Sequence, residues 1–134
     1  MKTIKWLCRA AVLLLSLSAF SACEDIYEDE YDSLFHKDAE GNEVCYMRTN
    51  YKIGWSVTKV PFMVYYSGSW KAFFKEDESQ PEVDWAFLDR SSGKGVGFLR
   101  LCCTTNTGAD RSVVVVIKCD NGESVDIRFT QEGK

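Results

Sequence analysis

The sequence predicts an all-β sandwich of about seven short strands. Three observations predict it. From Val44 onward, turn signals such as Ser67-Gly68-Ser69 and Asn121-Gly122 punctuate short apolar runs. Within the runs, β-branched and aromatic residues alternate with polar ones, the period of a half-buried strand. No segment of this region carries a convincing helical period.

The chain begins with a targeting segment. Residues 1–22 read as a signal peptide, with Lys2, Lys5 and Arg9 ahead of the apolar run Ala10 to Leu17. That run is too short for a convincing membrane span. Phe20-Ser21-Ala22-Cys23 fits a lipoprotein cleavage box: one bulky residue, two small ones, then cysteine. An ordinary signal peptidase needs a small side chain where Phe20 stands. The Cys23 thiol then accepts a diacylglycerol, and more than one acyl chain is what makes anchoring stable. The competing reading is a cut after Ser21 and a secreted protein.

Glu24, Asp25, Glu28, Asp29, Glu30 and Asp32 follow without an intervening base. Like charges keep such a segment extended. Residues 23–43 therefore read as a lipidated acidic tether, its polar part 33–43 carrying a Gly41-Asn42 turn signal. A calcium site is the alternative, but the run lacks the glycine-bent loop that an EF-hand uses. Residues 33–134 hold 13 Lys/Arg and 14 Asp/Glu, so the body is near neutral. No basic patch argues for nucleic acid.

The sandwich is expected over residues 44–134. Residues 44–57 form the first strand, with Tyr51, Ile53, Trp55 and Val57 alternating. The second covers 60–66, where Pro61 suits an edge. The third is 70–74, followed by a charged loop at 75–83. The fourth is 84–90 and a glycine-rich turn fills 91–97. The fifth, sixth and seventh cover 98–105, 112–119 and 124–131. Asn121-Gly122 predicts a type I′ hairpin between the last two. Parity turns Leu99, Leu101 and Cys103, then Val113, Val115, Ile117 and Cys119, then Val125, Ile127 and Phe129 inward. Arg100 and Cys102 turn outward. So do Val114 and Val116, whose exposure marks a covered face or a contact surface.

Six cysteines are present. Cys8 leaves with the signal and Cys23 is taken by lipid, so Cys45, Cys102, Cys103 and Cys119 remain, with three possible connectivities. Cys103 and Cys119 share the core face by parity, where they either pair or pack as small hydrophobes. Zinc is disfavoured because no CxxC pair exists.

Several segments together resemble the BACON domain of Bacteroidetes. They are the Ser-Gly-Ser-Trp turn at 67–70, Asp84-Trp85, the Ser-Gly-x-Gly turn at 92–95, the Asn106-Thr107-Gly108 corner with Arg111, and Thr130-Gln131. The resemblance covers roughly residues 58–134. It implies an immunoglobulin-like sandwich, carbohydrate or mucin binding, or a spacer role beside glycan-active surface proteins. It also implies that Trp70 and Trp85 belong to the core. The acidic run likewise resembles the stretch behind the acylated cysteine of surface-exported Bacteroidetes lipoproteins, which implies an outer-membrane protein facing the cell surface, with a periplasm-facing one as the alternative. Cys102-Cys103 departs from the family, where aliphatic or small residues are usual.

Enzyme chemistry finds little support. His36, the only histidine, lies in the tether, so no nucleophile has an imidazole base inside the domain. Ser-Ser-Gly-Lys-Gly-Val-Gly lacks phosphate-loop spacing and has no following helix. The carboxylates between Glu76 and Asp89 are expected on solvent. No cofactor is expected. Binding is the better expectation, because flat exposed rings stack on sugar faces while adjacent polar groups take the hydroxyls. The candidates are Trp55, Tyr65, Tyr66, Phe73 and Phe74, since parity turns one ring of each adjacent pair outward. Asn106, Arg111 and Gln131 are expected to be structural: Asn106 turns the chain between strands, Arg111 bonds loop carbonyls and Gln131 bonds backbone. The ligand is expected to be a glycan or an envelope protein.

Overall fold

The structure, a computed structural model, describes residues 31–76 and 83–134. The signal peptide, Cys23 and the acids at 24–30 lie outside the described residues, as do Asp77, Glu78 and Glu82 of the charged loop. Ser33–Lys134 forms a compact unit. Its strands are β1 (Phe35–Lys37), β2 (Glu43–Cys45), β3 (Asn50–Ile53), β4 (Lys59–Val64) and β5 (Ser69–Phe74). They continue with β6 (Ala86–Leu88), β7 (Ser92–Lys94), β8 (Gly97–Cys103), β9 (Arg111–Cys119) and β10 (Ser124–Gln131). The described residues include no helix.

The fold is all-β, an immunoglobulin-like sandwich. One sheet has the order β3-β10-β9-β5-β7 and the other β4-β8-β6, with β1 and β2 a separate hairpin. Every pairing is antiparallel except β3 with β10, which run parallel. Strand parity explains the core. Val113, Val115, Ile117, Ile127 and Phe129 point inward from the larger sheet, and Val60, Phe62, Val64, Leu99 and Leu101 from the smaller. Phe62 meets Phe129 across the sandwich with ring centroids 5.2 Å apart. Burying a side chain of this size contributes roughly 2 kcal/mol. Pro61 lies on β4, an edge of the smaller sheet, where the missing N–H costs no ladder bond.

Among the described residues ten strands replace the expected seven, for local reasons. The segment 33–43, expected as tether, holds β1 and the start of β2, closed by Gly41 with φ of 86°. Leu34 is fully buried, so the folded unit begins at Ser33 rather than Val44. The expected first strand ends at Ile53, where Val57 N bonds Gly54 O and turns the chain. Trp55 and Val57 therefore leave the alternation and stand 37% exposed. The glycine-rich turn contains β7, paired with β5. Gly93 is required there: a Cβ would fall inside the indole of buried Trp70. The last hairpin is not a two-residue I′ turn. Gly122 N bonds Cys119 O, and Cys119 N bonds Glu123 O, which leaves the three-residue loop 120–122. Gly122 takes its left-handed position at φ 93°.

Candidate functional site

The outer face of the larger sheet carries a polar groove. Register places Phe73 of β5 beside Val116 of β9, which in turn faces Asp126 of β10. One row along, Val114 lies beside Arg128, which pairs with Asn50 of β3. Lys75 follows β5 on this row, its N–H bonding Val114 O at 2.9 Å. Here the surface sinks into a groove of about 420 Å³, lined by Asn50, Lys75, Ser112, Val114, Asp126 and Arg128 among others. Lys75 Nζ donates to Asp126 Oδ2 at 2.9 Å, and Arg128 donates to Ser112 Oγ at 3.3 Å. Phe73 stands at the margin, 45% exposed. An exposed ion pair of this kind is worth about 0–1 kcal/mol, so its groups exchange partners with a ligand at little cost. The outward Val114 and Val116 are explained as the floor of this face, each half-buried.

The smaller sheet presents a second outer face. Phe87 of β6 and Phe98 of β8 are 61% and 55% exposed. Between their rows, Asp89 accepts from Arg100 N and Arg100 Nε, both at 2.7 Å. Those hydrogen bonds hold the Asp89 carboxyl below its usual range. Neither phenylalanine is among the sequence candidates. The signal was present, since Leu99, Leu101 and Cys103 facing inward oblige Phe98 to face out.

The five sequence candidates do not converge. Phe73 lies at the groove. Tyr66 is buried and leaves the ligand set: its hydroxyl donates to Asp120 Oδ1 at 2.5 Å. Burial, then that hydrogen bond, pushes its pKa to about 12. Tyr65 and Phe74 are half-buried and pack against the core. Trp55 sits on the loop after β3 with the Lys134 ammonium 4.8 Å above its ring. Tyr66 continues the inward alternation of Val60, Phe62 and Val64 although β4 ends at Val64, which leaves Tyr65 as the outer ring of the pair.

The residues expected to be structural gather elsewhere. Gln131 is fully buried, and its Nε2 donates to the carbonyls of Trp55, Val57 and Thr104 at 3.2, 3.2 and 2.9 Å. Its Oε1 accepts from Arg111 Nε at 2.9 Å. Arg111 also donates to Thr104 O at 2.9 Å and covers the Trp85 ring at 4.2 Å. Asn106 is buried, donates to Ala109 O at 2.7 Å and accepts from Gly108 N at 3.0 Å. Trp70 donates its indole N–H to Gly95 O at 3.0 Å. His36 packs on Tyr46 with centroids 4.4 Å apart. Among the described residues no group of three His, Cys, Asp or Glu is placed to hold a metal ion.

No family model matches the chain, and no curated protein matches it. Solved structures do. The chain is similar to a GH5 xyloglucanase of Bacteroides ovatus, determined in complex with a XXXG heptasaccharide, with a TM-score of 0.55 and 12% identity. The likeness covers 75% of this chain and 19% of that one, so the chain spans about a fifth of the xyloglucanase's length. It is also similar to the CupB2 chaperone of Pseudomonas aeruginosa, with a TM-score of 0.46 and 12% identity over 63% of this chain and 53% of that one. At such identity the xyloglucanase likeness shows a shared fold and nothing further.

Proposed function

We propose that the chain is a non-catalytic envelope lipoprotein whose sandwich, a BACON-like module, binds a glycan on the outer face of the larger sheet. The observation that carries this reading is Phe73, an exposed flat ring beside a groove whose Lys75, Asp126 and Arg128 supply donors and an acceptor for hydroxyls. Anchored through lipid on Cys23, the module is displayed at the outer membrane, facing the cell surface. Retention of the protein on mucin or polysaccharide columns tests the binding. Wild type is retained and Phe73→Ala is not; no retention on any glycan would sink the reading. Membrane fractionation tests the anchor, with Cys23→Ala released to the soluble fraction.

A second reading, an accessory that binds another envelope protein, is favoured by Phe87 and Phe98, whose exposure fits the apolar part of a protein interface. It predicts co-purification with an envelope protein that Phe98→Ser abolishes while glycan retention persists.

A further inference from the structure

The sequence leaves the pairing of four cysteines open, and the topology narrows it. All four thiols are free in this structure. Cys102 and Cys103 end β8, beside the loop that leads into β9. Arg111, the first residue of β9, still bonds Thr104 O at 2.9 Å. Cys119 ends β9 eight residues later, about 27 Å along the strand. Cys103 and Cys119 thus face the same core from opposite ends of the sandwich, too far apart to bridge.

Cys45 lies at the right end. It pairs with Phe35 in the β1–β2 hairpin, and the next residue, Tyr46, donates to Leu34 O at 2.9 Å. Leu34 N and Ser33 Oγ bond the Glu123 carboxylate at 2.8 and 2.7 Å. Glu123 in turn accepts the Cys119 N–H through its carbonyl at 2.8 Å. Glu123 therefore joins the hairpin to the β9–β10 turn, with one cysteine on each side. Cys45 is half-buried and packs on the core cluster that contains Cys119. We propose that Cys45 and Cys119 form a disulfide that ties the N-terminal hairpin to the β9–β10 turn.

The chemistry balances with a small-molecule disulfide as oxidant. The more accessible Cys45 attacks one oxidant sulfur as thiolate and releases the other half as a thiol. Cys119 then attacks the Cys45 sulfur, a second thiol leaves, and two protons and two electrons have passed to the oxidant. Burial, followed by the charges of Glu123 and Asp120, pushes the Cys119 thiol up to about 12, so the second step is the slow one. The bond encloses most of the domain in one loop, which restricts the unfolded chain strongly.

The pairing is independent of the glycan reading and is tested on the purified full chain. The reduced protein is treated with glutathione disulfide, remaining thiols are alkylated with iodoacetamide, and a digest is mapped by mass spectrometry. A cross-linked peptide pair holding Cys45 and Cys119, two hydrogens lighter than its parts, is expected. Cys45 linked to any other cysteine, or both thiols recovered singly alkylated or glutathionylated, would overturn the proposal. Thermal unfolding adds a second readout. Oxidation is expected to raise the wild-type midpoint by about 10 °C and to leave Cys45→Ser unchanged. An equal rise in Cys45→Ser overturns it as well.

Discussion

Two regions of the molecule are rich in hydrogen-bonding side chains, and they differ in where those bonds go. At the corner made by Asn106, Arg111 and Gln131, the partners are mostly backbone carbonyls of neighbouring loops. In the groove of the larger sheet, Lys75, Asp126, Arg128 and Ser112 bond one another at the surface. A buried amide that spends its capacity on backbone is committed to the fold, because removing it strands the groups it served. Surface groups that bond one another have no such commitment. Polarity alone does not mark a site; the partners do.

Gln131 offers the sharpest way to break that contrast. Gln131→Ala removes the Nε2 donor shared by the carbonyls of Trp55, Val57 and Thr104 and the acceptor of Arg111 Nε, at a cost of about 3 kcal/mol. Its denaturant midpoint falls accordingly, and a shift near zero would mean the corner is not structural. Gly93→Ala comes next. The added methyl must displace the ring of buried Trp70, at about 2 kcal/mol, read by the same midpoint and by loss of near-ultraviolet tryptophan dichroism.

A pH titration sharpens the contrast at the buried end of the core. Tyr66 has its pKa raised from about 10 to about 12, and the Cys119 thiol from about 9 to about 12. Both are neutral in the folded state over ranges where the unfolded chain ionises them. Their contribution is complete below about 9 and is lost as pH rises toward 12. Asp120 moves the other way: the Tyr66 hydroxyl and the Ser69 N–H hold its carboxyl below the usual range. Its contribution is present above that range and is lost as acid titrates it. Tyr66→Phe is therefore expected to flatten both limbs of the stability–pH curve, and unchanged limbs would refute the linkage. The smallest structural effect belongs to the groove. Phe73→Ala loses cross-strand contact with Val116 and costs about 0.5 kcal/mol.

The fold was legible from residues 58 onward because period-two patterning and turn residues agree there. Parity named Leu99, Leu101, Val113, Val115, Ile117, Ile127 and Phe129 as core, and all are buried. The hairpin of β1 and β2 was not legible. Three-residue strands carry no period, and Leu34 is a single apolar residue in a polar stretch whose burial depends on the distant Glu123. Of this face, Val114 and Val116 were readable as outward, and parity turned out one of Phe73 and Phe74 without saying which. Parity also turns Asp126 and Arg128 outward, but their meeting with Lys75 was not readable, because it depends on β5 and β10 flanking β9, a pairing of segments some fifty residues apart. Phe87 and Phe98 were missed although parity exposes Phe98.

The central claim is that the groove face binds a glycan through Phe73. Affinity electrophoresis in gels containing mucin or polysaccharide, run on wild type and Phe73→Ala with matched unfolding midpoints, tests it most directly. The account predicts retarded wild type and at least about tenfold weaker binding by the variant, the worth of one stacked ring. Equal retardation of the two proteins, or no retardation of wild type, would contradict it.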